Sequence, residues 1–513
     1  MEIGNLLLMF SSLAAVLSAL MFLITLRNGK LGNAVIAENL LYISTSACLA
    51  ALLLLVYYFI TDNFSIWYVY VNSNVEMPAI YKLSAVWAGK EGSLLLWTFL
   101  NLLVTSLFLS AGKKDWTKVK AALTMTAFTS YLLFILTFFS NPFVVLPYYP
   151  NNGYGLNPLL RTVEMVIHPP IVFLAYSLSA LLFSVILSGS EQAGSEQEQI
   201  ARLSWLSLTL GIIIGSWWAY RTLGWGGFWG WDPVENSSLL PWLTLTLYFH
   251  LRKHREIFAY LTFTSVLFAT FVTRGGVISS VHSFGSKYTD YTYLIPLLCS
   301  LIPVLVRAKE FGDIKSVCTP QLPVLFSSAL IVVFLGTVAN LIVNVERSYY
   351  LITFLPVFAI IAALAILKIK KMNSVIKIIH LGVIILFLGS ASVWLFEHHE
   401  TLNLGTADGF RLEDILINED SEKFTVISEI QTPYGIVYPK YLIYKIERRD
   451  RGISTVELIS YPWVDHYFAL TNFDLEKNEV VLEHYTIPLI SAVWAGLALM
   501  VTGSVLRLIR KKR

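Results

Sequence analysis

Trp217-Trp218-Ala219-Tyr220-Arg221-Thr222-Leu223-Gly224-Trp225-Gly226-Gly227-Phe228-Trp229-Gly230-Trp231-Asp232-Pro233-Val234-Glu235-Asn236 lies between two apolar runs. Trp217, Trp218, Trp225, Trp229 and Trp231 supply broad flat rings, and Gly224, Gly226, Gly227 and Gly230 remove side chains between them. Backbone without Cβ atoms lets a flat guest approach closely, and indoles cover its faces. Asp232-Pro233 reads as a turn, with Asn236 or Ser237 as the cap of the next helix. The segment 217–236 is therefore expected to be a loop that holds a large planar ligand. The competing reading is an interfacial Trp belt. A belt accounts for neither this density of Gly nor Asp232 and Glu235 in an apolar setting.

Outward from this stretch, the chain is apolar. Of its 513 residues 56% are hydrophobic and 14% charged, where soluble domains carry about 25% charge. Runs of about 20 apolar residues suffice to cross a bilayer. They fall near 4–26, 38–60, 90–111, 120–139, 167–188, 203–220, 237–251, 256–273, 290–306, 323–343, 350–367, 374–396 and 487–508. Met1-Glu2-Ile3-Gly4 lacks the basic start of a signal peptide, so the first run is expected to be a retained helix. Cys48, Cys299 and Cys318 are scattered singly, which leaves no C-x-x-C for zinc, redox or covalent haem attachment.

Basic residues set the orientation. Arg27 and Lys30, Lys113 to Lys120, Arg252 to Arg255, Arg307 to Lys315, Lys368 to Lys371 and Arg510 to Arg513 fall on one side if the N-terminus is outside and the C-terminus cytoplasmic. The Trp-rich loop then faces outward, with 61–89, 140–166, 274–289 and 397–486. In the last of these, Lys423–Ile430, Tyr438–Ile446 and Ser454–Tyr461 alternate apolar and polar residues as strands do. The expected fold is an all-α polytopic membrane protein of about thirteen transmembrane helices, with a small β-rich extracytoplasmic domain before the last helix. Its parts are a helical core at 1–396, the β-rich domain at 397–486, and a final helix with a basic tail at 487–513.

Four of the nine histidines stand apart. His168, in Ile167-His168-Pro169-Pro170, is expected near the cap of a helix whose first turn holds both prolines. His282 follows Arg274-Gly275-Gly276. Both lie on the face of the Trp-rich loop, where two neutral imidazoles could take both axial positions of a haem iron. His250 and His380 each sit about one turn in from an inward basic residue, on helices of opposite direction, so at similar depth. Ionisable groups inside a span are functional candidates, and this couple could clamp a b-type haem between helices. The alternative for each is a hydrogen bond to a backbone carbonyl or a neighbouring hydroxyl. His254, His398, His399, His466 and His484 read as solvated.

Glu91-Gly92-Ser93 opens a span from outside and reads as its capping chemistry. Among the outward cations, Arg221 and Arg274 are the first candidates for haem propionates, because a guanidinium matches a carboxylate fork. No Ser-His-Asp set, phosphate-cradling Gly loop or dinucleotide fingerprint is present, and no basic-aromatic run indicates nucleic acid.

Trp225 through Asn236 resembles the tryptophan-rich "WWD" signature of haem-handling proteins. With Trp87–Trp97, Asn157-Pro158-Leu159-Leu160, His168-Pro169-Pro170, Pro241-Trp242-Leu243, His250, Arg274–His282 and His380-Leu381-Gly382, the chain resembles the CcmF-type cytochrome c haem lyases and their NrfE-like relatives along nearly its whole length. Phe228 and Gly230 stand where the family often has larger aromatics, and Lys90 where His or Gln is common.

The resemblance implies that His168 and His282 are axial ligands of an outward, transient haem, and that His250 and His380 hold a permanent haem b that keeps the first iron reduced. It implies ligation of the haem vinyl groups to the CxxCH thiols of apocytochrome c. Trp225, Trp229, Trp231, Asp232 and Glu235 would form the reacting surface, with Trp217, Trp218, Arg221 and Arg274 as further haem contacts. The partners it implies are apocytochrome c, a CcmE-like haem donor, a CcmH-like thiol-handling subunit and quinol, in the inner membrane. The other readings are a haem exporter or carrier without ligation activity, and a transporter with a Trp gate.

Overall fold

The computed structural model describes residues 2–189, 194–224, 226–251, 253–276, 278, 291–308, 321–404, 409–421, 423–445 and 452–510. Each of the thirteen apolar runs forms a helix. They are α1 (Ile3–Asn28), α2 (Ala34–Ile60), α5 (Lys90–Ser110), α6 (Trp116–Phe138), α7 (Val163–Leu187), α8 (Gly194–Thr222), α9 (Pro233–His250), α10 (Arg255–Gly275), α11 (Leu294–Ala308), α12 (Gln321–Ala339), α13 (Arg347–Lys368), α14 (Ser374–Phe396) and α15 (Ile490–Ile509). The short helices α3 (Trp67–Asn72) and α4 (Ala79–Ala85) lie between α2 and α5. Eleven helices among the described residues are long and apolar enough to cross a membrane. The other two of the expected thirteen are α9 and α11. α11, with 15 residues, reaches only about 22 Å, short of a hydrocarbon core of about 30 Å, whereas α9, with 18 residues, is long enough but opens on the polar run Glu235-Asn236-Ser237-Ser238. The chain is a multi-pass membrane protein.

Two compact units arise, Met1–Ile214 with Trp231–Val357, and Gly215–Gly230 with Phe358–Arg513. In the first, α1 buries Ser11, Ala14, Ala15 and Ser18 against α2. The Ser11 hydroxyl donates to the Ser44 carbonyl at 2.9 Å and the Ser44 hydroxyl to the Ser11 carbonyl at 2.8 Å. Small polar residues let helices approach where lipid removes the hydrophobic drive, and paired hydroxyls leave no unmet bond in hydrocarbon.

In the second unit α14 and α15 meet at backbone distance. A Cβ on Gly382 would lie 2.6 Å from the Gly496 carbonyl oxygen, and one on Gly389 2.7 Å from the Val493 nitrogen. The β-rich segment is an eight-stranded antiparallel sheet, β1 (His398–Leu404), β2 (Arg411–Glu419), β3 (Lys423–Thr432), β4 (Gly435–Val437), β5 (Lys440–Tyr444), β6 (Ile453–Tyr461), β7 (Val464–Asp474) and β8 (Glu479–Pro488). Its order is β1-β8-β7-β6-β5-β3-β2, with β4 paired to β3. Val426 and Ile430 from β3 meet Phe468, Leu470, Val480 and Leu482 in its core, the alternate-residue face that a period of two requires.

Candidate functional site

Helix α7 begins earlier than expected. Thr162 is its N-cap, accepting from the Met165 amide, so Pro169 and Pro170 lie inside the helix and His168 is well past the cap. The proline at 169 has no N–H for the Met165 carbonyl. That carbonyl accepts instead from the Trp87 indole at 3.1 Å, which ties the Trp87–Trp97 segment to the helix of His168. The expected cap of α5 is also corrected. Its N-cap is Gly89, with no side-chain bond, and the Gly89 amide donates to the Tyr68 hydroxyl at 2.9 Å.

Three of the four singled-out histidines are described, and they share one chemistry. His168 Nδ1 lies 3.0 Å from the Gly211 carbonyl, His250 Nδ1 2.7 Å from the Thr246 carbonyl, and His380 Nδ1 2.9 Å from the Ile376 carbonyl. A carbonyl only accepts, so Nδ1 carries the proton in each neutral ring and Nε2 carries the lone pair. The backbone bond weighed as the alternative to metal ligation is thus the same bond that orients ligating histidines. His250 also lies beside Phe326 of α12, with ring centroids 5.4 Å apart. His250 belongs to the first unit and His380 to the second. His282 and Trp225 lie outside the described residues.

The Trp-rich stretch divides between the units. In the first, Trp231 adopts a left-handed backbone with φ of 58°, a conformation rare for a bulky residue. Its ring stacks on Tyr350 of α13 at 4.4 Å and 5°, with Phe354 edge-on at 5.0 Å. Asn236 donates to both the Trp231 carbonyl and the Tyr350 hydroxyl, at 2.8 and 2.9 Å. The helix cap expected at Asn236 or Ser237 is instead Asp232. Its carboxylate accepts from the Val234 amide at 2.9 Å, while Glu235 accepts from the Asp232 amide at 3.2 Å. This is a capping box with Pro233 in the first turn.

In the second unit Trp217, Tyr220, Gly226 and Phe228 pack on the sheet and on α14 and α15. Trp218 is buried. Trp217 meets Trp494 edge-on at 4.9 Å, and the Arg221 guanidinium lies 5.8 Å from the Trp217 ring centre. Phe228 stacks on Trp394 at 6.0 Å and 12°. Gly226, with φ of 73°, brings its backbone onto the Tyr485 ring, which a Cβ would meet at 2.4 Å. The buried Tyr220 hydroxyl donates to Asp465 Oδ2 at 2.8 Å. Trp229 is half-buried. In the first unit, Arg274 is buried and donates to the Lys90 carbonyl at 3.0 Å and the Ser93 hydroxyl at 2.5 Å.

The solvated reading of His466 and His484 is overturned, for both are buried. Glu400 stands opposite His484 in the β1–β8 register, and Phe468 opposite His484 in β7–β8. Glu400 Oε1 lies 2.7 Å from His484 Nδ1, and His484 Nε2 3.3 Å from His466 Nδ1. Tyr434 stacks on His466. The strand period carried this signal, because His466 is in phase with Phe468 and Leu470, and His484 with Val480 and Leu482. Among the described residues no group of three or more His, Cys, Asp or Glu is arranged to hold a metal ion.

The fold defines a polytopic membrane protein with a β-rich segment before its last helix. Residues 87–278 match the family described as cytochrome C assembly protein. The chain is 34% identical over 378 residues to the cytochrome c-type biogenesis protein CcmF of Haemophilus influenzae, covering 66% of this chain and 57% of that one. It is 37% identical over 333 residues to NrfE of the same organism, covering 61% and 51%. The matched stretches thus span about half the length of these relatives. A solved structure titled cytochrome c heme lyase CcmF shares the fold, with a TM-score of 0.80 at 19% identity over 99% of this chain and 98% of that one. In sequence over part of its length, and in fold, the chain is thus similar to the CcmF-type cytochrome c biogenesis proteins.

Proposed function

We propose that the chain serves cytochrome c biogenesis as a haem lyase in the inner membrane, with its N-terminus outside and C-terminus cytoplasmic. The observation that carries this reading is the shared tautomer of His168, His250 and His380, each with Nδ1 bound to a backbone carbonyl and Nε2 kept as a lone-pair donor. That donor set suits haem iron. His168 and His282 would hold the substrate haem beside the Trp-rich loop. His250 and His380 would hold a resident haem b, which supplies electrons for keeping the substrate iron ferrous, drawn from quinol.

Each thiol of an apocytochrome CxxCH adds across one vinyl group. The sulfur bonds to one vinyl carbon, the thiol proton ends on the other, and no net electron is transferred. The chain contributes orientation and exclusion of side reactions. A CcmE-like donor would deliver the haem and a CcmH-like subunit the reduced thiols.

Pyridine-haem quantification of the full chain from haem-replete cells tests this, on wild type beside His250→Ala and His380→Ala. Two haems per chain, with about half lost in each variant, are expected. One haem per chain, lost in His168→Ala and unchanged in the other two, would leave a carrier without ligation. A colourless wild type removes both.

A further inference from the structure

We propose that Asp465 is a positioning residue for the Trp-rich loop: buried on β7, it accepts the Tyr220 hydroxyl and so fixes how the chain leaves the end of α8. The role rests on the haem-holding reading of that loop. The two residues are far apart in sequence, yet their oxygens are 2.8 Å apart and both side chains are buried.

A buried carboxylate is costly unless bonded. Packing alone would be served as well by an apolar pair. A directional bond adds a single allowed orientation for Tyr220, and everything after it follows from that orientation. Six residues later, Gly226 is pressed on Tyr485 of β8, and Phe228 stacks on Trp394 and meets Trp494 edge-on. Tyr220 itself packs on Tyr467 of β7 and on Trp494, with centroids 5.6 and 5.9 Å apart. The β-rich segment is thereby the seat of the loop, with the Asp465 carboxyl as an anchor point on Tyr220. Burial holds the Asp465 carboxyl above the usual carboxylate range, while the bond from Tyr220 opposes that rise.

Hydrogen–deuterium exchange of the full chain in detergent reads the latch without reference to haem, and the absorption spectrum reads its consequence. Tyr220→Phe and Asp465→Ala are expected to speed exchange of the amides around 218–230 about fivefold, the equivalent of one hydrogen bond, and to shift the haem absorption maximum or lower haem per chain. Asp465→Asn keeps an acceptor oxygen and is expected to match wild type in both. Unchanged exchange in Tyr220→Phe, or Asp465→Asn as damaging as Asp465→Ala, overturns the latch. Faster exchange with an unaltered haem spectrum overturns the positioning role. A wild type without haem removes the functional reading alone, since exchange still decides whether the bond orders the loop.

Discussion

His168 and Gly211 are joined by a 3.0 Å hydrogen bond from an imidazole Nδ1 to a backbone carbonyl. The bond exists because α7 and α8 touch where Gly211 has no side chain. A Cβ there would lie 2.9 Å from Val172 Cγ2, and a valine in a helix has one preferred rotamer and little room to yield. A candidate haem ligand is therefore held by a helix contact that only glycine permits.

Gly211→Ala should push α7 off α8 and loosen the His168 ring. Overpacking of this kind costs about 1–3 kcal/mol. The expected result is a lower thermal midpoint in detergent together with loss of the haem signal assigned to His168. A midpoint lowered with no spectral change would show that the bond does not orient a ligand.

Trp231 should behave as a core residue of the first unit, because its ring is stacked on Tyr350 and enclosed by Phe354. Trp231→Ala is expected to cost about 3–5 kcal/mol, as for large aromatic truncations. Tyr350→Phe, which removes only the hydroxyl that Asn236 binds, should cost about 1 kcal/mol. Denaturant or thermal unfolding of the solubilised chain ranks the two. An equal loss from both variants argues against the stack as the main contribution.

Asp232 should act through the start of α9. Asp232→Ala removes the capping bond and is expected to cost about 1 kcal/mol, whereas Asp232→Asn retains a good cap. Exchange of the Val234–Asn236 amides measures it directly. If Asp232→Asn abolished haem ligation while leaving those amides protected, the carboxylate would have a chemical role beyond the cap.

The β-rich segment should weaken in acid. Burial holds the His466 and His484 imidazoles below the usual histidine range, with Glu400 opposing this at His484 and His398 adding to it. In an unfolded chain both titrate near about 6.5. Below that value the unfolded chain binds more protons than the folded one, so stability is complete above it and falls as pH drops through it. The groups facing the pair are Glu400 and His398 from β1, Tyr434 from the β3–β4 turn and Tyr461 from β6. Thermal midpoints should fall between about pH 7.5 and 5.5, and the double variant His466→Asn/His484→Gln should flatten that fall. A midpoint independent of pH in wild type would refute the linkage.

The sequence by itself determined the helices and the β-rich segment. Hydropathy and the period of two are local properties, repeated over enough residues to be read without partners. The same locality explains the errors of placement. The cap at Asp232 and the early start of α7 at Thr162 depend on which amide a side chain reaches, and several nearby residues are chemically able to do so. Tertiary structure alone decided that Trp231 stacks on Tyr350, that Tyr220 meets Asp465, and that Glu400, His484 and His466 form one hydrogen-bonded chain. Those pairs are joined through space by helix contacts and strand register, and no periodicity within one segment names its partner in another.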